Sequence, residues 1–176
     1  MSETINWEDQ NTVPRDLILT RTLIYDCCQF VCSQLYAESE SKEYDGYRFL
    51  LNNKKICYRK AKITPTKTGQ FVTLWKRNEK GITTPFDYSD NIDFVIISVR
   101  KDDLFGQFIF PKAVLIDKSI FSSSSSKGKR AIRIYPPWNI TESKQARNTQ
   151  NWQLDYFLEF PVINSIDLNL AKKLLS

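Results

Sequence analysis

The segment Lys62-Ile63-Thr64-Pro65-Thr66-Lys67-Thr68-Gly69-Gln70 sets two lysines around a turn that carries three hydroxyls and a glycine. Such a turn can aim backbone and side-chain donors at phosphate oxygens. Thr, Pro and Gly are also ordinary turn formers, so a plain hairpin turn explains the same residues. Trp75, Lys76 and Arg77 follow. There an indole could stack on a base while the two cations hold a backbone, although a strand tryptophan is more often packed in a core. A second candidate group begins at Arg130 and Arg133, which bracket a run leading to Tyr135 and Trp138. Beyond it, Lys144, Arg147, Asn148 and Asn151 recur at i, i+3, i+4 and i+7, the spacing of one helix face. The opposite face, with Ala146, Gln150, Gln153 and Phe157, is suited to packing inward, which leaves the cationic face for a polyanion or for solvent.

Charge is segregated along the chain. Residues 1–53 hold four basic and nine acidic side chains, whereas 54–80 hold nine basic ones against Glu79 alone. Residues 127–147 hold six basic side chains against Glu142. Like charges gathered on one ordered surface repel unless something neutralises them, so the pattern favours a polyanionic partner such as DNA or RNA over a merely solvated surface. The chain has no histidine, which excludes Ser-His, Cys-His and imidazole acid-base mechanisms. Its four cysteines, Cys27, Cys28, Cys32 and Cys57, fit no common zinc spacing and are expected to be free thiols. A zinc site from Cys28, Cys32 and Cys57 is the lesser expectation.

A chain of 176 residues with 41% hydrophobic and 13% aromatic side chains can bury one core, so a single domain over 1–176 is expected. No apolar run reaches the roughly 18 to 20 residues that span a bilayer, and the start MSETINWEDQ is unlike a signal peptide. No membrane partner and a cytoplasmic location are therefore expected. Residues 1–13 are expected as a flexible start, and the apolar period from Leu17 to Leu35 predicts a helix over 14–37. Tyr47–Leu51 and Ile56–Ile63 predict a hairpin through Asn52-Asn53, and Gln70–Arg77 a third strand. Ile92–Val99 and Gln107–Ile116 read as central strands, with Pro111 implying an edge or a bulge in the second. A strand at Ala131–Tyr135 and helices near 142–158 and 166–175 complete an α/β (α+β) fold, a mixed sheet flanked by helices.

The runs AKITPTKTGQFVTLWKR (61–77), PFDYSDNIDFVII (85–97), GQFIFPKAVL (106–115), GKRAIRIYPPW (128–138) and KQARNTQNWQ (144–153) together resemble the bacterial MepB family over about 45–160. The resemblance implies a core similar to the nuclease domains of type IIS restriction enzymes, in the PD-(D/E)xK group, and nucleic-acid binding. In that group a strand-opening Asp and an Asp or Glu two residues before a Lys hold Mg²⁺. Asp93 is the counterpart of the first acid and Lys112 of the lysine, but Phe110 stands where the second acid is required. Asp93 alone is equally well explained as a turn residue at a strand entry. The expectation is a degenerate catalytic remnant, Asp93 and Lys112, with no resident metal. Gln107, Asp87, Asp90, Asp102 or Asp103 could supply a migrated ligand, in which case Mg²⁺ or Mn²⁺ would support cleavage. The expected binding set is Lys62, Thr64, Thr66, Lys67, Gln70, Lys76, Arg77, Arg130, Arg133, Lys144 and Arg147, with Trp75, Tyr135 and Trp138 as stacking candidates. A protein-interaction domain that uses its aromatic surface is the third reading.

Overall fold

Asn52 and Asn53 both take left-handed backbone angles, φ 49° and 64°, which a two-residue type I′ turn requires and asparagine tolerates better than most residues. They join β3 (Tyr47–Leu51) to β4 (Lys54–Lys60) in the expected hairpin, with Leu51 opposite Lys54. The structure is a computed structural model that describes residues 3–176. The start expected to be flexible is tied down: β1 (Thr4–Ile5) pairs with β2 (Leu35–Ala37), and Trp7 and Val13 are buried. Met1 and Ser2 lie outside the described residues.

Seven strands form a mixed sheet in the order β1-β2-β3-β4-β9-β10-β12. Here β9 is Phe94–Lys101, β10 is Leu104–Pro111 and β12 is Phe157–Glu159. The β4–β9 pair is parallel and the other pairs are antiparallel. Phe94 to Val99 are all buried because the sheet is covered on both faces, which is why β9 reads as an apolar run interrupted only by Ser98. On one face, α1 (Arg15–Thr20) and α4 (Leu168–Leu174) enclose Ile56, Tyr58, Ile96 and Ile109. Asp167 caps α4 by accepting the Leu170 N–H at 2.9 Å. On the other face, Val95, Ile97, Phe108 and Phe110 meet a second, three-stranded sheet and α2 (Lys112–Asp117). Among the described residues no helix is long and apolar enough to cross a membrane.

Several expected elements are shorter than their periodicity implies. The helix predicted over 14–37 runs from Arg15 through a wider π turn, Arg21–Tyr25, and the chain reverses at Gln29, φ 58°. Leu35 keeps the helical spacing but belongs to β2, where it is fully buried. The strand predicted over 70–77 divides at Leu74 into β6 (Gln70–Thr73) and β7 (Trp75–Arg77). Strand β10 ends at Pro111, which has no N–H to extend a ladder, so Lys112 opens α2 instead of lying on a strand. Pro111 thus marks the end of an interior strand, not an edge or a bulge. Helix α3 (Lys144–Leu154) stops before Phe157, which enters β12.

Candidate nucleic-acid interface

The three-stranded sheet has the order β11-β6-β5, where β11 is Ala131–Ile134 and β5 is Lys62–Ile63. Its register sets Lys62 opposite Phe71 and Phe71 opposite Arg133, so the two basic stretches are neighbours in one sheet. Gln70, Val72, Ile132 and Ile134 point into the second core, which leaves Lys62, Phe71, Thr73, Ala131 and Arg133 on the outer face. The Arg133 guanidinium donates to Thr64 Oγ1 at 2.9 Å and Gly69 O at 3.3 Å, and lies 5.7 Å from the Phe71 ring centroid. It therefore ties the second stretch to the turn that joins β5 and β6. Thr66 and Lys67, at the tip of that turn, are exposed. Gly69 is required there: its φ is 82° and an added Cβ would sit 2.7 Å from the Tyr135 ring.

Gln70 departs from expectation. It is 2% exposed and donates to Arg100 O at 3.0 Å, so it anchors the small sheet and offers nothing to a surface ligand. Trp138 is likewise no open platform, since it is half-buried and packs edge-on against Phe157 at 5.9 Å. Tyr135 lies against Gly69, and Trp75 is half-buried beneath the Arg77 guanidinium at 5.4 Å. Trp75 also lines a shallow groove of about 530 Å³ with Thr73, Thr83 and Arg130, and Arg130 donates to Thr83 Oγ1 at 3.2 Å.

Carboxylates distinguish the two stretches. In 54–80, Arg59 is 1% exposed and paired with Glu38, Lys60 meets Asp16 at 3.6 Å, and Lys62 meets Glu43 at 3.3 Å. Arg77 is paired with Glu40. Lys76 is enclosed by Asp87 at 2.6 Å and Asp90 at 2.8 Å. Partial burial opposes ionisation of both partners, yet the hydrogen bonds prevail: Lys76 is raised and Asp87, also bonded by Ser89, is held down at about 2. Sequence reasoning missed Glu40 and Glu43, which lie in the 3₁₀ turn Ser39–Tyr44 and reach this face only through tertiary packing. In 127–147, no basic side chain has a carboxylate partner among the described residues.

Helix α3 runs beside the free edge of β11. Gln153, 1% exposed, accepts from Tyr135 N at 2.9 Å and donates to Arg133 O at 3.0 Å, taking the place of a neighbouring strand. Ser143 caps the helix by accepting from Ala146 N at 3.1 Å. Lys144, Arg147, Asn148 and Asn151 all face solvent, and Arg147 donates to Glu142 O.

The expected catalytic remnant is held by backbone. Asp93 Oδ2 accepts from Lys55 N at 2.8 Å, and Lys112 Nζ donates to Asp90 O at 2.5 Å. Phe110 is fully buried and stacked on Phe108 at 5.5 Å. Gln107 is buried as well, donating to Thr20 Oγ1 and Ser98 Oγ. Asp102 and Asp103 form the turn between β9 and β10, at the other end of β9 from Asp93. Cys28 and Cys57 belong to the cores on opposite faces of the main sheet, and all four cysteines are free. Among the described residues no three Cys, Asp or Glu side chains gather as a metal-ligand cluster.

A mixed sheet flanked by helices, with a small cationic sheet set on one face, defines the architecture. Residues 38–159 match the MepB-like family model, and the chain belongs to that family. A solved structure titled "Crystal Structure of MepB" is similar at 33% identity with a TM-score of 0.72, covering 83% of this chain and 97% of the other. No curated protein matches.

Proposed function

We propose that the chain is a cytoplasmic nucleic-acid-binding protein that holds DNA or RNA mainly through phosphate contacts, without a resident metal or cofactor. The observation that carries this proposal is the meeting of the two basic stretches through Arg133, one of six cations in 127–147 without carboxylate partners among the described residues. Lys67, Arg130, Lys144 and Arg147 supply charge at the surface, and Thr66 supplies a hydroxyl. Affinity then falls steeply with salt as counterions are released. The test is fluorescence anisotropy of labelled single- and double-stranded DNA and RNA across a salt series. Retention of intact strands with a steep slope supports the proposal, and no retention at low salt leaves the aromatic surface as a protein-interaction site.

One observation favours a second function, a metal-dependent nuclease on a restriction-endonuclease-like core with a rearranged carboxylate site. Asp87 and Asp90 converge on a single cation, Lys76. Mg²⁺ is usually held by one or two carboxylates plus substrate phosphate. Cleavage that needs Mg²⁺ or Mn²⁺ and is lost in Asp87→Asn or Asp93→Ala supports this function over binding alone.

A further inference from the structure

A cleft of about 400 Å³ lies between β11, α3 and the chain that follows α2. Clefts of about 300 to 1,000 Å³ suit small ligands. Two lysines line it, Lys118 and Lys129, together with the strand edge at Arg133, and no carboxylate does. Lys129 is exposed and has no ion-pair partner among the described residues, while the Arg133 guanidinium is held at Gly69 O and Thr64 Oγ1, neither of which lines the cleft. Lys118 meets a carboxylate outside the cleft, that of the neighbouring Asp117 at 3.3 Å. The same cleft carries an aromatic side chain, Trp152. Trp152 is half-buried, braced from below by Phe110 at 5.5 Å, with Lys118 Nζ 5.7 Å from its ring centroid. Thr149 adds a hydroxyl to the lining.

Two lysines without a carboxylate in the lining select an anion, and a phosphate monoester carries close to two negative charges at neutral pH. A bare anion would leave the indole without a ligand surface, whereas a nucleobase offers a flat face to stack on. Resting on the nucleic-acid reading above, we propose that this cleft is a nucleoside-monophosphate pocket, with phosphate against Lys118 and Lys129 and base beside Trp152. A free nucleotide and the phosphorylated end of a strand present the same chemistry. The long phosphate-tracking surface and this pocket are adjacent but separable, because Lys118, Lys129, Thr149 and Trp152 lie within the cleft, whereas the exposed row of α3 is Lys144, Arg147 and Asn148.

The test is calorimetric titration of the full chain with adenosine and uridine 5′-monophosphate, the unphosphorylated nucleosides and inorganic phosphate. Saturable binding of a monophosphate, at least tenfold tighter than either inorganic phosphate or its nucleoside, is expected. It should weaken at least tenfold in Lys129→Gln, an exposed position, and vanish in Thr149→Phe, which fills the cleft. Absence of saturable binding, equal binding of inorganic phosphate, or no effect of Lys129→Gln overturns the pocket. A second arm compares oligonucleotides with and without a 5′-phosphate as competitors. Competition by the phosphorylated strand alone assigns the pocket to strand ends, and no difference between the two assigns it to free nucleotides. Retention of long strands without monophosphate binding sinks the pocket alone, and the reverse sinks the nucleic-acid proposal alone.

Discussion

The two basic stretches look alike as composition and differ as structure. Five of the nine cations in 54–80 are paired with carboxylates, namely Arg59, Lys60, Lys62, Lys76 and Arg77. None of the six in 127–147 is so paired among the described residues. More than half of the first stretch is thus paired within the protein, at buried and exposed positions alike. The second stretch keeps its charge uncompensated by carboxylates of the described residues. Charge density along a chain overstates the charge a surface can offer, and tertiary acids decide the difference.

The largest expected effect separates the stretches directly. Replacing Arg130, Lys144 and Arg147 by alanine should lower the slope of log affinity against log salt by roughly 2 to 3, near one for each phosphate that is no longer neutralised. Replacing Lys62, Lys76 and Arg77 should lower it by about one or less. Equal reductions in the two triple variants would break the comparison.

The next effect concerns stability. Gln153→Ala removes both bonds to the β11 edge, leaving Tyr135 N and Arg133 O without partners. Such a change costs about 1 to 3 kcal/mol, and a chain of this length should drop about 2 to 4 °C in Tm per kcal/mol, read by thermal melting. Because Arg133 itself hangs on that edge, strand binding should weaken in parallel.

A pH effect tests the paired set. The folded Asp87 carboxyl is held at about 2, below its ordinary 3.8. Its contribution to stability is therefore fully present above about 4 and disappears as pH falls toward 2. In Lys76→Met this portion of the acid unfolding limb should flatten, with little change in the salt slope of binding. A slope lowered as far as in the Arg130, Lys144 and Arg147 variant would place Lys76 on the phosphate path after all.

The smallest expected effect comes from the acids that hold the first stretch. Glu43→Gln with Glu40→Gln should free Lys62 and Arg77 and tighten strand binding a few-fold at most. These pairs are exposed, and exposed ion pairs are worth about 0 to 1 kcal/mol each. Anisotropy at low salt resolves a change of that size, and weakened binding would show that the acids support the surface.

What is legible in the sequence is what neighbouring residues decide. Asn52-Asn53 announces its turn because both positions need left-handed backbone, and β9 announces its burial by a nearly continuous apolar run. The capped C-terminal helix is equally local. The helix predicted to residue 37 stops short because a π turn and the reversal at Gln29 leave no mark on apolar spacing. Lys112 is expected on a strand from its apolar neighbours, although the proline before it already argues for a stop. At the candidate interface, the outward Arg133 and the solvent-facing row of α3 follow from period alone. Gln70 and Trp138 do not, because their burial depends on the main sheet and Phe157. Lys76 finds Asp87 at a separation of 11 residues and Arg77 finds Glu40 at 37, pairings that carry no local signal.

The central claim is that residues far apart in the chain form one polyanion-binding surface around β11. Titrating a short single-stranded oligonucleotide into ¹⁵N-labelled protein and following amide shifts tests it residue by residue. Shifts gathered at Thr66–Gly69, Arg130–Tyr135 and Lys144–Asn148 are expected. Shifts confined to Lys76, Asp87, Asp90 and Asp93, or scattered with no saturation, would contradict it.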